Sequence, residues 1–243
     1  PFLGPITAIQ ADASSTYHAL QLQLNQRLTR GLQFTAAYTW SHAIDEVSDI
    51  FDLAGARTLP QDSFDRSAER GDANFDLRHR FVASFIWDLP LWAQSRLLGG
   101  WQLAGIGTLQ TGQPFTIFAA YDVNLDGNLT DRLNSDTGFR EVNEGGRRFE
   151  FTAAPALAAS GRNGAVGRNT FRGPGVATVD LTVNKSFRFS ERQVLEVRAE
   201  IFNLFNRAHY GLPVHQTDFP GFGRSVETRV APRTVQFALK YSF

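Results

Sequence analysis

Cysteine and methionine are both missing from this chain of 243 residues. Without Cys there is no disulfide scaffold and no thiolate zinc site, although that absence assigns no compartment. A chain that starts on Pro1 and holds no Met is expected to be a piece of a longer one. Net charge is missing as well, since 24 Lys and Arg balance 24 Asp and Glu. Nucleic-acid binding needs a basic surplus or stripe, so no nucleic-acid partner is expected. No run of about 18–20 apolar residues occurs, which excludes a transmembrane helix. It leaves the membrane open, because a membrane strand needs only about 9–11 residues and half of them are polar.

What is present is alternation, together with 21 Phe, 21 Gly and 4 Trp. The last residues show it best. Val235, Phe237, Leu239, Tyr241 and Phe243 fall on one face, and Thr234, Gln236, Ala238, Lys240 and Ser242 on the other. Strict alternation of this length predicts a strand with one apolar and one polar face. In a soluble sandwich the apolar face meets a core; in an outer-membrane barrel it meets lipid.

Seven such segments are expected, at 16–28, 32–42, 76–89, 100–118, 176–189, 192–205 and 233–243. The connections alternate between short (29–31, 90–99, 190–191) and long (43–75, 119–175, 206–232). Short periplasmic turns and long extracellular loops are the rhythm of outer-membrane barrels. With the short turns in the periplasm, the terminal strand runs inward and ends there. Tyr17 and Trp40 then mark an outer aromatic rim, and Trp87, Trp101 and Tyr241 an inner one, as interfacial girdles require. The fold class is therefore all-β, an antiparallel up-and-down meander of about seven long strands. Bacterial single-chain barrels have even strand counts, so an odd set predicts partner strands upstream of Pro1, unless a further strand lies in 1–15 or in 119–175, where Phe149-Glu-Phe151 is a short candidate.

Several segments resemble one family. They are Tyr17-His-Ala-Leu-Gln-Leu-Gln-Leu, Phe34-Thr-Ala-Ala-Tyr-Thr-Trp-Ser, Asp76-Leu-Arg-His-Arg-Phe-Val-Ala-Ser, Gly99-Gly-Trp-Gln-Leu, Thr111-Gly-Gln-Pro-Phe, Glu200-Ile-Phe-Asn-Leu-Phe-Asn-Arg and Tyr241-Ser-Phe243. In this order and spacing they resemble the C-terminal barrel of TonB-dependent outer-membrane receptors, in the Oar-like branch whose members often carry a carboxypeptidase-regulatory-like domain. The resemblance implies a 22-stranded transmembrane barrel in the bacterial outer membrane, of which this chain supplies the last seven strands. It implies an N-terminal plug, a TonB box coupling to TonB, and an extracellular ligand. The strand ending on Phe243 also resembles the terminal signal (Val235, Phe237, Leu239, Tyr241, Phe243) read by the barrel-assembly machinery. A complete small outer-membrane barrel acting as pore or adhesin, and a soluble β-sandwich binding module, are the alternative readings.

Three groups of side chains invite a chemical role. Asp122, Asn124, Asp126 and Asn128, with Gly127, match the first half of a calcium loop, with oxygens at positions one, three and five and Gly at six. Leu133 stands where position twelve calls for Glu, and Asp131 could supply the late carboxylate. Calcium is the one cofactor this motif would take; the same residues also make a solvated turn that binds nothing. Arg66, Arg70, Arg78 and Arg80 with Asp62, Asp65, Asp72 and Asp76 form a mixed-charge group, read as a salt-bridged loop base or a ligand-facing rim. Glu196, Arg198 and Glu200, beside Asp180 and Lys185, are expected to pair across strands in the lumen. His42 with Asp45, and Asp76 with His79, put imidazoles near carboxylates upstream of Ser84, but no nucleophile motif surrounds the Ser residues, so no enzyme is expected.

Overall fold

The computed structural model describes residues 8, 10–48, 59–90, 95, 98–119 and 121–243. Parts of the expected connections, at 49–58, 91–94, 96, 97 and 120, lie outside the described residues. The long strands are β1 (Ser15–Thr29), β2 (Leu32–Asp45), β4 (His79–Leu89), β5 (Trp101–Gln110), β10 (Val176–Arg188), β11 (Val194–Phe202) and β12 (Thr234–Ser242). They pair as an antiparallel meander, β1-β2-β4-β5-β10-β11-β12, and the two-residue β3 (Gly71–Asp72) adds to β2. Among the described residues β1 and β12 each pair on one edge only.

The hairpin joining β1 to β2 shows how local chemistry sets register. Arg30 and Gly31 have φ of 52° and 81° between the paired Thr29 and Leu32. Two central residues with positive φ make the turn whose twist matches the flanking strands.

Register then sorts every strand residue onto one of two faces. One cross-strand row reads Leu22, Tyr38, Phe81, Leu109, Ala177; another reads Phe34, Phe85, Gly105, Leu181, Ile201, Val235. Trp87, Leu103, Val183, Ala199 and Phe237 follow. This apolar face is bare: Leu24 is 60% exposed, Leu239 71% and Phe237 80%. The opposite rows carry Gln21, Thr39, Arg80 and Gln110, or Asp88, Gln102, Asn184 and Arg198. Among the described residues no second sheet covers the apolar face, because the two remaining sheets are short ribbons within the connections. The β-sandwich reading is thereby overturned.

Two placements differ from expectation, both for reasons of parity. Tyr17 pairs with Ala43 and lies three residues from Leu20, an odd step, so it shares the polar face with Gln21 and not the face of Trp40. Lys185 pairs with Trp101 and Val197 and so belongs to the apolar face, not beside Asp180. Its ammonium is buried near the inner end of β10, donates to the Gly99 carbonyl and lies 4.6 Å from the centre of the Phe187 ring and 5.5 Å from that of Trp101. Aromatic faces and a carbonyl offset the cost of a cation there.

The fourth strand is shorter than 100–118. It stops at Gln110, and Phe115 and Phe118 leave the sheet for the long connections. There β6 (Pro114–Phe115) pairs with β9 (Phe171–Arg172), and β7 (Phe139–Glu144) with β8 (Arg147–Phe151). Phe149-Glu-Phe151 therefore belongs to a loop hairpin and adds no strand to the main sheet. The long connections fold together into a cap around Phe115, Ile117, Ala119, Leu133, Phe149, Phe171 and Phe222. Phe139, Phe149 and Phe171 meet with ring centroids 5.5–5.9 Å apart and interplanar angles of 59–85°, the offset or edge-on contact that ring quadrupoles favour. The molecule's buried apolar core thus lies in its loops, while its sheet presents apolar side chains outward.

Candidate functional site

The cap grips the outer end of the sheet through buried charge. Asp76 is 1% exposed; its Oδ1 accepts the Ala43 amide at 2.8 Å, and its Oδ2 accepts Arg78 Nε at 3.0 Å and Arg172 Nη2 at 2.7 Å. Asp72 accepts from the same two arginines at 3.0 and 2.5 Å, and its Oδ1 lies 2.8 Å from His42 Nε2. Burial pushes the Asp72 carboxyl up, but His42, Arg78 and Arg172 outweigh it and hold the group below the usual carboxylate range. Arg168 pairs with the buried Asp45 and donates to the Glu69 carbonyl at 2.7 Å. Arg132 makes a two-pronged bond to Glu69, both oxygens at 3.0 Å.

Of the expected mixed-charge group, Arg78, Asp72 and Asp76 form this centre. Arg66 instead pairs with Asp12, Asp65 caps the short 3-10 turn Arg66–Glu69, and Asp62 accepts from Phe64 and Asn163. Arg70 closes that turn by its backbone, its charge bears on Glu46, and Arg80 lies on the polar face between Thr39 and Gln110. Sequence reasoning missed Glu69, Arg132, Arg168 and Arg172. A signal was available: Arg168-Asn-Thr-Phe-Arg172-Gly-Pro-Gly sets two arginines beside a turn, as a loop does when it docks onto carboxylates. Below the grip Asp180, Glu196, Arg198 and Glu200 lie on the luminal-type face without Lys185, and Arg198 Nε is 3.2 Å from Glu200 Oε1, a pair along one strand where pairing across strands was expected.

Beside this grip is a cavity of about 300 Å³ whose walls include Glu46, Arg66, Glu69, Arg132, Arg168 and His215. Its size is at the low end for small-molecule sites, and its walls are mostly apolar, with Leu59, Phe115, Phe118 and Leu212 between the charged groups.

The 122–131 loop is internally bonded. Asp122 Oδ1 and Asn124 Oδ1 both accept the Asp126 amide at 3.1 Å, and Asp122 Oδ2 accepts the Gly127 amide at 3.0 Å. Asp131 is 1% exposed; Oδ2 accepts the Val123 amide at 2.9 Å, while Oδ1 has no partner. Burial, and then the charges of Asp126 and Asp122, raise the Asp131 carboxyl above its ordinary range. Among the described residues no group of three or more His, Cys, Asp or Glu side chains is placed to hold a metal ion.

The imidazole–carboxylate pairs do not meet as a catalytic set. His42 faces Asp72 and not Asp45, His79 Nδ1 lies 2.8 Å from the Tyr38 hydroxyl, and Ser84 pairs across strands with Thr35 and Ile106. On the apolar face Trp40 stands near the outer end, and Trp87, Trp101 and Tyr241 near the inner end, each one row or more lower than the last along the sheet. Strands tilted across a level interface produce that drift.

The family model described as the outer membrane beta barrel domain matches residues 1–236. The chain belongs to that family. It is an outer-membrane β-barrel protein of the bacterial outer membrane, and the bare apolar face is the face such a barrel turns to lipid. No curated protein matches the chain.

One titration in the cap of this outer-membrane protein has a definite sign. His209 is 2% exposed, with no partner at Nε2; burial, and then the Arg207 charge, push its pKa down. A histidine depressed in the fold stabilises it above the unfolded value of about 6.5, and that contribution is lost as pH falls through the folded value. Amide protection in the 206–232 connection, taken relative to the intrinsic exchange rate at each pH, is therefore expected to fall between about pH 7 and pH 5. His209→Leu is expected to flatten that dependence; an unchanged pH profile in the variant would refute the assignment.

Proposed function

We propose that the chain forms the closing seven strands of a TonB-dependent receptor barrel. The open meander carries this reading: seven strands with an apolar outer face and, among the described residues, one unpaired edge at each end need further strands to close around a lumen. The segment resemblance supports the receptor class, and a 22-stranded ring filled by a plug is the closure it implies. A complete small barrel would need β1 to pair with β12. In the proposed receptor, lipid covers the apolar face, Trp40, Trp87, Trp101 and Tyr241 sit at the two interfaces, and the terminal strand addresses the assembly machinery. The charged cap receives an extracellular ligand, with the cavity beside Arg132 and Arg168 as its first contact. The role is binding and passage, with no catalysis.

The test has two arms. Expressed alone with a secretion signal, residues 1–243 are expected to give no heat-modifiable species in outer membranes; the full reading frame is expected to give one. Deleting TonB from the host should then abolish ligand uptake without lowering surface binding. A closed, heat-modifiable barrel from residues 1–243 alone would overturn the reading.

A further inference from the structure

The cavity beside the grip draws its walls from all three long connections, and the state of its charged groups limits what it can hold. Every guanidinium in the wall is already engaged. Arg66 pairs with Asp12, Arg168 with Asp45, and Arg132 with both oxygens of Glu69. The other charged wall group is an acid. Glu46 accepts the Ser14 amide at 3.2 Å and its hydroxyl at 2.7 Å, on the solvent-exposed side. Three arginines therefore stand against four carboxylates. No guanidinium is left to receive a ligand's carboxylate or phosphate, whose burial would go uncompensated. Glu46 in turn is a weak hold for a cation, because water and salt screen an exposed carboxylate.

The remaining wall has two parts. Phe115, Phe118 and His215 make an aromatic corner, with the His215 ring centroid 5.8 Å from that of Phe115 and 5.9 Å from that of Phe118. Asn74 supplies a polar group that the protein does not use. Its backbone amide donates to Ser48 Oγ at 2.9 Å, and its half-buried side chain bonds to nothing among the described residues. A primary amide offers two donors and an acceptor. Taking the cavity as the ligand's first contact, we propose that it binds an uncharged, flat, apolar molecule carrying one amide or hydroxyl group. The ring body lies in the aromatic corner, and the polar group meets the Asn74 side chain. Burial of the ring supplies the attraction. Asn74 supplies the orientation, as a few placed polar groups do in an apolar site. The mutually paired charges supply the selectivity, because they offer an ion nothing in exchange for its water. Binding there involves no coupling to TonB, so it is separable from transport.

The full-length protein in lipid nanodiscs is tested by equilibrium dialysis, with protein-free nanodiscs as the blank. Three probes share one naphthalene ring: naphthaleneacetamide is uncharged, naphthaleneacetate is an anion and naphthalenemethylamine is a cation. The amide is expected to bind with a Kd of about 1 mM or tighter, and each ion at least about tenfold more weakly. Ala13 is an exposed wall residue outside the cap core, so Ala13→Trp should fill the cavity and weaken the amide at least about tenfold. Asn74→Leu keeps the backbone bond to Ser48 and should weaken the amide about three- to tenfold, with heat-modifiable migration unchanged. Should Ala13→Trp lose its heat-modifiable form, Asn74→Leu decides. No binding of the amide at about 1 mM, either ion binding as well as the amide, or amide binding unchanged in a folded Asn74→Leu protein would each overturn the proposal. Uptake that persists without TonB, with these affinities intact, would sink the transport reading alone.

Discussion

Glu69→Ala is expected to lower the stability of the cap by about 3–5 kcal/mol. Glu69 and Arg132 are 7% and 4% exposed, so each depends on the other for compensation. Removing the carboxylate leaves a buried guanidinium whose Nε already lacks a partner, and takes away the acceptor of the Gln61 amide, 3.0 Å from Glu69 Oε1. Breaking one side of such a pair costs far more than the net worth of the pair. Replacing both partners by apolar side chains, as in Glu69→Leu with Arg132→Met, should recover most of the loss. Hydrogen exchange over residues 114–133 and 164–172, in the intact protein in lipid, measures both. A loss below about 1 kcal/mol in the single variant would mean that water reaches Arg132.

The face assignment makes an equally sharp prediction at two adjacent residues. Leu181 lies mid-strand in the row with Gly105 and Ile201, and Thr182 lies in the row with Ala104 and Glu200. Leu181→Arg is expected to cost about 2–4 kcal/mol, the cost of a cation on a barrel's lipid face near the midplane. Thr182→Arg is expected to cost about 0.5 kcal/mol or less, because its side chain meets a polar, hydrated wall. Guanidinium unfolding of the full protein in lipid vesicles reads the difference. Equal costs, or a larger one at Thr182, would put the lipid on the wrong side of the sheet.

Much of the sheet was legible because alternation is a local property. Each long strand shows it within its own residues, and burial on one side of a barrel wall imposes it. The alternation of short and long connections was also visible, and with it the meander order. The cap was not. Phe115, Leu133, Phe149 and Phe171 come from the stretch between β5 and β10 and Phe222 from the one between β11 and β12, and they follow no period, so nothing in the neighbourhood of each marks it as core. The grip was half visible: Asp72, Asp76 and Arg78 could be read together, but Glu69 was not, and Arg132, Arg168 and Arg172 came from the second long connection. Tyr17 and Lys185 are different cases. Their faces follow from counting, and they were misplaced by grouping residues by chemistry where parity decides.

The distance between the two aromatic levels has a further consequence. On β2 eight residues separate Leu32, paired with Trp87, from Trp40. That is about 27 Å of strand at about 3.3–3.4 Å per residue, or about 20 Å of height at a tilt near 40°. A hydrogen-bonded sheet cannot shorten or lengthen as a tilting helix does, and the buried Lys185 ammonium holds the inner level fixed. The protein therefore acts as a rigid ruler for hydrophobic thickness. Lipids around it must thin to match, and in bilayers of longer acyl chains the strain falls on the membrane and not on the fold.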